Sequence, residues 1–244
     1  MRTVIIIPAR YDSTRFPGKA LHPILGKPMI QHVYERASLV EDISGVYVAT
    51  DSEKIFQCVE AFGGRPIMTD SGHLSGSDRL AEASQILELA PEDIVINVQG
   101  DQPALNPTHP KLLEAALLER GSNYPVSTLA VHFTSKDEID DPNHVKVVIA
   151  FDGRALYFSR SRIPYGRVGE GTYYKHIGLY AYYAGFLREF VSLKEGFLEK
   201  TESLEQLRIL EHGFPIKVMV QKGASPEVDV PSDVEKVEKI LRDA

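Results

Sequence analysis

Residues 3–19 read TVIIIPARYDSTRFPGK, and this stretch decides the fold class. The apolar run Thr3–Ile7 predicts a strand buried on both faces, as in a parallel sheet covered by helices. The loop after it carries Arg10, Arg15 and Lys19. Arginine offers phosphate a planar pair of donors and lysine a mobile point charge, and open α/β sheets bind ligands at the carboxyl ends of their strands. Each cation taken alone is typical of a solvated loop, but the three together predict a site for a nucleoside triphosphate.

Strand and helix patterns alternate outward from this stretch through the first half of the chain. The order predicts an α/β fold, with a mostly parallel sheet and helices on both faces. Predicted strands are Gly45–Ala49, Pro66–Met68 and Ile94–Val98, and predicted helices are Met29–Leu39, Ser52–Phe62, Ser77–Leu89 with Ser77 as N-cap, and Pro107–Arg120.

The second half is richer in strands, so we expect residues 126–184, roughly, to form a small β-rich subdomain on a single domain of residues 1–244. The stretch Ser135–Asn143 is polar and predicts a connection. Predicted strands are Val126–His132, Lys146–Phe151, Ala155–Phe158, His176–Tyr183 and Ile216–Val220, and predicted helices are Phe186–Leu193, Leu204–His212 and Ser232–Arg242.

Composition limits the classes of function. The net formal charge of −7 excludes a wide basic surface, which argues against a general nucleic-acid binder. The single cysteine, Cys58, has no internal disulfide partner, and we interpret it as a buried structural thiol. The apolar run at the amino terminus is too short for a signal peptide, and no run is long enough to span a membrane. We therefore expect a cytoplasmic protein with no membrane insertion.

Two acidic segments are candidates for binding a metal ion. Asp101 follows Gly100 in the motif NVQGDQP, directly after a predicted buried strand. Magnesium prefers oxygen ligands and takes one or two carboxylates, with phosphates and waters completing its shell. A plain surface turn explains the motif equally well. In the later segment SPEVDVPSD the residues alone do not separate Asp229 from Glu227, whereas Asp233 suits the first turn of the last helix.

Several long motifs in one order resemble the 3-deoxy-manno-octulosonate cytidylyltransferases, also called CMP-KDO synthetases. The resemblance runs nearly end to end. It implies a nucleotide-diphospho-sugar transferase-like fold, whose β-rich segment forms a lid and a homodimer interface. The motifs are PARYDSTRFPGK at 8–19, SGSDRLAE at 75–82, NVQGDQP at 97–103, YFSR at 157–160, KHIGLY at 175–180 and LEQLR at 204–208.

The resemblance implies a role for each matching residue. The loop cations and Ser13 would hold the CTP triphosphate, a second segment would read the cytosine, and two carboxylates would bind Mg²⁺. Lys19, Asp101 and Asp229 would form the catalytic group. The implied nucleotide-binding residues are Arg10, Ser13, Arg15, Lys19, Ser75, Gly76, Ser77 and Arg79; the metal ligands are Asp101 and Asp229.

The acidic sugar would be bound by a further set of residues, in which Arg160 supplies a cation for the sugar carboxylate. Singly, these residues have ordinary explanations: His176 and Tyr180 suit a strand at a subunit interface, and a solvated helix face explains Glu205 and Gln206. The implied set is Gln99, Arg160, His176, Tyr180, Glu205 and Gln206.

The implied reaction transfers CMP from CTP to the anomeric hydroxyl of the octulosonate and releases pyrophosphate, which activates the sugar for lipopolysaccharide synthesis. Two positions depart from the family pattern: Gln102, where an acid is common, and Val230, where threonine is common. Some relatives use the 8-amino analogue of the sugar, so the same reaction on that sugar is the alternative.

Other classes of function are less consistent with the motifs. A nucleotide-sugar glycosyltransferase usually carries a paired Asp-x-Asp, and a non-catalytic nucleotide-binding regulator does not need both metal-binding acids. No GxGxxG motif follows the first strand, which argues against a dinucleotide oxidoreductase. The P-loop ending Gly-Lys-Ser/Thr is also absent.

Overall fold

The computed structural model describes residues 1–11, 16–133, 135–169, 171–223 and 225–242. Two predicted phosphate-binding residues, Ser13 and Arg15, lie outside this part of the chain. The strands are β1 (Thr3–Ala9), β2 (Pro23–Ile24), β3 (Lys27–Pro28), β4 (Gly45–Thr50), β5 (Pro66–Met68), β6 (Ile94–Asn97), β7 (Val126–His132), β8 (Lys146–Ile149), β9 (Ala155–Ser159), β10 (Tyr174–Tyr183) and β11 (Ile216–Gln221). The helices are α1 (Met29–Ala37), α2 (Glu53–Ala61), α3 (Gly76–Ile86), α4 (Thr108–Leu118), α5 (Lys136–Asp140), α6 (Ala184–Ser192), α7 (Phe197–Glu202), α8 (Gln206–Glu211) and α9 (Asp233–Arg242).

One twisted sheet in the order β11-β7-β10-β6-β1-β4-β5 forms the centre of the molecule. Strand β1 pairs in parallel with β4 and β6, and β11 pairs in parallel with β7. Strand β10 runs antiparallel to both of its neighbours, β6 and β7. The predicted α/β fold with a mostly parallel sheet is therefore confirmed, with β10 as the reversed strand.

The residues of β1 alternate between two hydrophobic layers, as the period of a strand requires. Val4 and Ile6 pack in the layer that contains Leu80 of α3 and Phe186 of α6. Ile5 and Ile7 face the opposite layer, which contains residues of α1, α2 and α4. Burial on both faces explains why this strand reads as an unbroken apolar run.

Helix α3 starts at Gly76, one residue earlier than predicted, and its N-cap lies two residues earlier, so the expectation that Ser77 is the N-cap was wrong. Ser75 caps the helix instead: its Oγ accepts the Asp78 N–H at 3.1 Å, and Asp78 Oδ2 accepts the Ser75 N–H at 3.0 Å. This reciprocal capping box satisfies two backbone donors that the helix start would otherwise leave unpaired. Ser77, in the first turn, is thereby turned toward the interior.

Strands from the β-rich second half belong to the central sheet. Strands β7 and β10 lie inside it, and β8 pairs with β10 and with β9, across the predicted turn at Asp152 and Gly153. The polar connection of residues 135–143 contains the short helix α5, which was not predicted. The roles of residues 126–184 as a lid and as a dimer interface stay predictions.

The carboxyl ends of β1, β4 and β6 meet at one edge of the sheet because these strands are parallel neighbours. Gly100 lets the turn after β6 approach β1 closely, since a Cβ there would lie 3.0 Å from the Pro8 carbonyl oxygen. Strand β10 is irregular between Ile177 and Tyr180, beside the same edge. In the described ranges no helix has the length and apolar character needed to cross a membrane.

Candidate active site

A cavity of about 520 Å³ opens at this edge, between the turn after β6, strand β10 and the loop before α9. We call it the Asp101 cavity. It joins the predicted metal ligands Asp101 and Asp229 with the predicted sugar-binding residues Gln99 and His176, which are far apart in sequence. Its charged and polar lining includes Gln99, Asp101, Lys175, His176, Glu227, Asp229 and Asp233.

Lys19 links the two carboxylates predicted to bind metal. Its Nζ lies 2.7 Å from Asp101 Oδ2 and 4.0 Å from Asp229 Oδ1, and the Lys19 and Asp101 side chains are 17% and 25% exposed. The two acids, 128 positions apart in sequence, therefore converge on one positive charge in a partly solvated position. A single lysine ammonium between them shows that this point favours a cation.

The loop before α9 is tied to the turn after β6 at several points. The Val228 N–H donates to the Asp101 carbonyl at 2.9 Å, and Ser225 Oγ accepts the Asn106 N–H at 2.9 Å. Glu227 Oε1 accepts the Gln102 amide at 2.8 Å. Both acids that the sequence left open therefore reach the cavity: Asp229 beside Lys19, and Glu227 beside Gln102.

The electrostatic environments of these acids differ. The Glu227 side chain is open to the cavity on one side. Desolvation by the protein atoms on its other sides raises the pKa of its carboxyl, and the negative charges of Asp101 and Asp229 raise it further. Asp233 begins α9 and accepts the N–H groups of Asp229 and Val230, each at 3.1 Å. These hydrogen bonds overcome the effect of burial and lower the pKa of Asp233. The interpretation of Asp233 as an acid of the first helical turn is confirmed.

A smaller cavity of about 150 Å³ adjoins the first one, with Gln99 in the lining of both. We call it the Ser77 cavity. Ser77 Oγ donates to Glu205 Oε2 at 2.7 Å across the cavity wall, which connects the start of α3 to the start of α8. The lining brings together predicted nucleotide-binding and sugar-binding residues: Gly76, Ser77, Asn97, Gln99, Tyr180, Tyr182, Phe190, Glu205 and Gln206.

Two buried oxygen atoms of the Ser77 cavity accept no hydrogen bond from the described residues: Asn97 Oδ1 and Glu205 Oε1. Unsatisfied buried acceptors are unfavourable unless a ligand or water pairs with them. Burial also raises the pKa of Glu205, while the hydrogen bond from Ser77 opposes the shift. The cavity therefore suits a ligand rich in hydroxyl or amino donors, such as a sugar or a nucleobase.

His176 and Tyr180 are neutral members of the site. The protein atoms packed around His176 lower its pKa to about 3, although part of its surface is open to the cavity. Its Nε2 lies 3.0 Å from Thr128 Oγ1. Burial raises the pKa of Tyr180, and the negative charge of Glu205 adds to the shift. Both side chains offer hydrogen bonds without charge near neutral pH, so neither is a strong base.

Two predicted nucleotide-binding cations, Arg10 and Arg79, lie outside the linings of the Asp101 and Ser77 cavities. Arg10 lines a separate cavity of about 530 Å³ together with Asp51 and Lys54. Arg79 is fully buried: its Nη2 donates to Asp51 Oδ2 at 2.6 Å and its Nη1 to Thr69 Oγ1 at 2.5 Å. The guanidinium thus joins α3 to the ends of β4 and β5, where it orients Asp51. Its contact with cytosine stays a prediction.

Arg160 lies outside the linings of the Asp101 and Ser77 cavities. Its guanidinium donates to the carbonyl oxygens of Glu202 at 2.7 Å, Pro142 at 3.0 Å and Ser203 at 3.2 Å. Its predicted pairing with the sugar carboxylate stays a prediction. Lys175 is a cation in the lining of the Asp101 cavity, and the sequence analysis quoted its motif without assigning it a role.

Asp101 and Asp229 fit a magnesium ion that also binds phosphate. Within the ranges that the structure describes, no group of three or more His, Cys, Asp or Glu side chains is placed to hold a metal ion. Magnesium does not need such a group, because two carboxylates leave the remaining positions to phosphate oxygens and waters. The convergence of both acids on the Lys19 ammonium is consistent with this donor set.

Three residues were missed as site residues: Asn97, Lys175 and Asp51. Asn97 ends β6 two positions before Gln99, so its place in the motif was a usable signal. Lys175 and His176 are neighbours in β10 and both line the Asp101 cavity. Asp51 follows β4 directly, at the same edge as the other strand ends.

Comparison with known proteins finds similarity to cytidylyltransferases. The family model described as Cytidylyltransferase matches residues 4–222. A curated relative from Shewanella woodyi, named 8-amino-3,8-dideoxy-manno-octulosonate cytidylyltransferase, is 49% identical over 235 residues, 96% of each chain. A relative with the same name from Shewanella amazonensis is 49% identical over 243 residues, 99% of each chain.

The fold of the chain is also similar to the folds of solved structures. The structure of CMP:2-keto-3-deoxy-manno-octonic acid synthetase complexed with CTP has a TM-score of 0.94 and 44% identity, and the match covers 100% of this chain and 99% of the other. A 4-diphosphocytidyl-2C-methyl-D-erythritol synthase has a TM-score of 0.64 with 15% identity and 98% of each chain covered, which is a likeness of fold alone.

Proposed function

Because the chain belongs to the cytidylyltransferase family, we propose that it transfers CMP from CTP to the anomeric hydroxyl of an eight-carbon 3-deoxy sugar acid. The curated relatives support 8-amino-3,8-dideoxy-manno-octulosonate as the sugar, which was the alternative in the sequence analysis. The 44% identical synthetase structure supports KDO as the second candidate.

The observation that carries the proposal is the convergence of Asp101 and Asp229 on Lys19 at the carboxyl edge of the sheet. Gln99 lines both the Asp101 cavity and the Ser77 cavity, so the two are adjacent. A sugar bound in the Asp101 cavity would present its anomeric hydroxyl beside the acids, with the Ser77 cavity adjoining it. A nucleotide whose α-phosphate lies at the acids would complete the reacting pair.

In the reaction the sugar hydroxyl loses its proton to solvent water and its oxygen bonds to the α-phosphorus, while the bond from that phosphorus to the pyrophosphate oxygen breaks and pyrophosphate leaves. Lys19 keeps positive charge where charge develops on the phosphate. The neutral His176 and Tyr180 suit hydrogen bonds to sugar hydroxyls, which orient the attacking group. With a pKa of about 3, His176 is too weak a base to take the proton efficiently near neutral pH.

Asp101 and Asp229 would hold Mg²⁺. When bound there, the ion would neutralise phosphate charge and lower the pKa of the attacking hydroxyl, so that no dedicated protein base is needed. Lys19 would then pair with phosphate oxygens, and the acids would keep the nucleotide in register with the sugar. Arg10 and the predicted loop residues Ser13 and Arg15 would bind the rest of the triphosphate.

A homodimer formed through the β-rich segment is part of the proposal. Large apolar side chains are exposed there, which is unfavourable unless a partner covers them. The large apolar side chains exposed in this segment are Phe151, Leu156, Tyr165 and Val168. The lipopolysaccharide role and the cytoplasmic location stay predictions of the sequence analysis.

A pyrophosphate-release assay tests the proposed function. Purified protein is given each of the four nucleoside triphosphates with KDO or with its 8-amino analogue, in Mg²⁺ or in a chelator. We expect release only with CTP, only with metal, and faster with the 8-amino sugar. Absence of pyrophosphate with CTP and both sugars would refute the proposal and leave the glycosyltransferase and regulator classes.

A further inference from the structure

We propose that Glu227 is the residue that selects the amino sugar, by binding the ammonium group at C8 in the Asp101 cavity. The inference rests on the proposed function, which it makes specific at the level of one side chain. An 8-amino octulosonate carries a carboxylate and an aliphatic amine, and such an amine is protonated near neutral pH, like the lysine side chain. The sugar is therefore a zwitterion, whereas KDO is an anion.

The other acids of the cavity are already paired with a cation or with backbone N–H groups. Asp101 and Asp229 face the Lys19 ammonium, at 2.7 and 4.0 Å. Asp233 accepts two backbone N–H groups of its own loop, each at 3.1 Å. Glu227 forms no ion pair with any Lys, Arg or His of the described part of the chain, and its side chain is exposed to the cavity. It is the acid of this wall that is open to a cationic ligand.

A buried amide fixes the position of Glu227. The Gln102 side chain is 0% exposed, and its Nε2 donates to Glu227 Oε1 at 2.8 Å. Gln102 Oε1 accepts no hydrogen bond from the residues described, so the contact with Glu227 is the one polar interaction this interior amide makes among them. An acid at position 102 would place a second negative charge against Glu227. Glutamine instead supplies a donor and leaves Glu227 Oε2 available.

The cavity also offers the opposite charge. Lys175 lines it and acts on Glu227 electrostatically at longer range, without forming an ion pair with it. Lysine suits a carboxylate as a compact cation. Gln99 and His176 line the same cavity and can pair with hydroxyls. A cavity with Lys175 and Glu227 in its wall complements a zwitterion better than it complements an anion.

The competing explanation is that Gln102 and Glu227 only hold the loop of residues 225–231 against the turn after β6. Ser225 offers a matched control, because its Oγ accepts the Asn106 N–H at 2.9 Å and joins the same two segments. A loop-fixing role predicts that neither Glu227→Gln, which keeps the bond to Gln102, nor Ser225→Ala, which loses its bond, changes the preference between the two sugars. A recognition role predicts that they differ in their effect on the two sugars.

The test compares kcat/KM for the two sugars in wild type, Glu227→Gln and Ser225→Ala, with saturating CTP and a titration of Mg²⁺. Glutamine keeps the size of the side chain and its bond to Gln102 but removes the charge. We expect Glu227→Gln to lower kcat/KM for the 8-amino sugar by about 10- to 100-fold, mainly through KM, which is the range for a hydrogen bond to a charged group. The KDO reaction should change less than about threefold, and Ser225→Ala should affect both sugars equally.

Equal losses with both sugars in Glu227→Gln, an unchanged preference for the amino sugar, or a shifted Mg²⁺ requirement would each overturn the inference. The last result would place Glu227 at the metal. Wild-type protein that uses KDO alone would also overturn it, while the CMP-transfer reaction would stand. Wild-type protein inactive with both sugars would instead refute the proposed function.

Discussion

Replacement of Asp101 by asparagine separates its chemical role from its structural one. The ion pair of Asp101 with Lys19 is 2.7 Å long but partly solvated, with the two side chains 17% and 25% exposed. Pairs of this kind contribute at most about 1 kcal/mol to stability. The asparagine side chain has nearly the same size, and the backbone contact from the Val228 N–H to the residue 101 carbonyl is kept. We therefore expect the free energy of unfolding to fall by no more than about 1 kcal/mol.

The effect of Asp101→Asn on catalysis should be far larger. A neutral amide is a poor magnesium ligand, and loss of charge stabilisation at a reacting phosphate is worth about 4 kcal/mol, or about 10³-fold in kcat/KM. The control is Glu35→Gln, which removes the ion pair with Lys27, a pair 2.8 Å long on the surface and away from the cavities.

The assays are pyrophosphate release for activity and urea unfolding for stability. The free energy of unfolding of Asp101→Asn should lie within about 1 kcal/mol of the wild-type value, and Glu35→Gln should keep full activity. Activity of Asp101→Asn within tenfold of wild type (about 1.4 kcal/mol) would show that the Asp101 carboxylate is not needed for the reaction. A collapse of stability would show that the pair is structural.

Three further predictions follow from buried contacts. Ser77→Ala removes the hydrogen bond that Glu205 Oε2 accepts and should raise a substrate KM about tenfold, measured separately for CTP and sugar. Unchanged KM values would contradict a ligand in the Ser77 cavity. Arg79→Met removes the ion-pair partner of Asp51 and should lower the free energy of unfolding, measured in urea, by about 3 kcal/mol. A higher KM for CTP with unchanged stability would instead make Arg79 a nucleotide contact. His176 has a pKa of about 3 in the fold against 6.5 for an ordinary histidine, so the unfolded chain binds its proton first and wild-type stability should fall as the pH drops from 6.5 toward 3. His176→Asn should show a shallower fall of Tm over that range, and an identical slope would show that the imidazole is not buried in the neutral form.

The local pattern of the chain was sufficient to predict most of the elements. Val126–His132 and Pro66–Met68 have the predicted bounds, because a strand buried on at least one face needs an apolar pattern that the sequence shows directly. The start of α3 was misplaced, since Ser75 and Ser77 are both good caps and the reciprocal bond with Asp78 decides between them. The sequence itself carries this signal, because Asp78 follows Ser75 by three positions, the spacing of a capping box, whereas Leu80 follows Ser77 by three.

Part of the candidate site could likewise be predicted from the sequence, and part depended on the fold. The order of amino acids already showed which residue types were available: a cation-rich loop after the first strand, an acid after Gly100, and motifs that resemble one family along nearly the whole chain. It left Glu227 and Asp229 as equals. Only the tertiary structure brought Asp229 to Lys19 and Glu227 to Gln102, and turned the guanidinium of Arg79 inward to Asp51. These contacts join positions separated by up to 210 residues, and their geometry depends on how the strands pair and the loops pack, which no local pattern encodes.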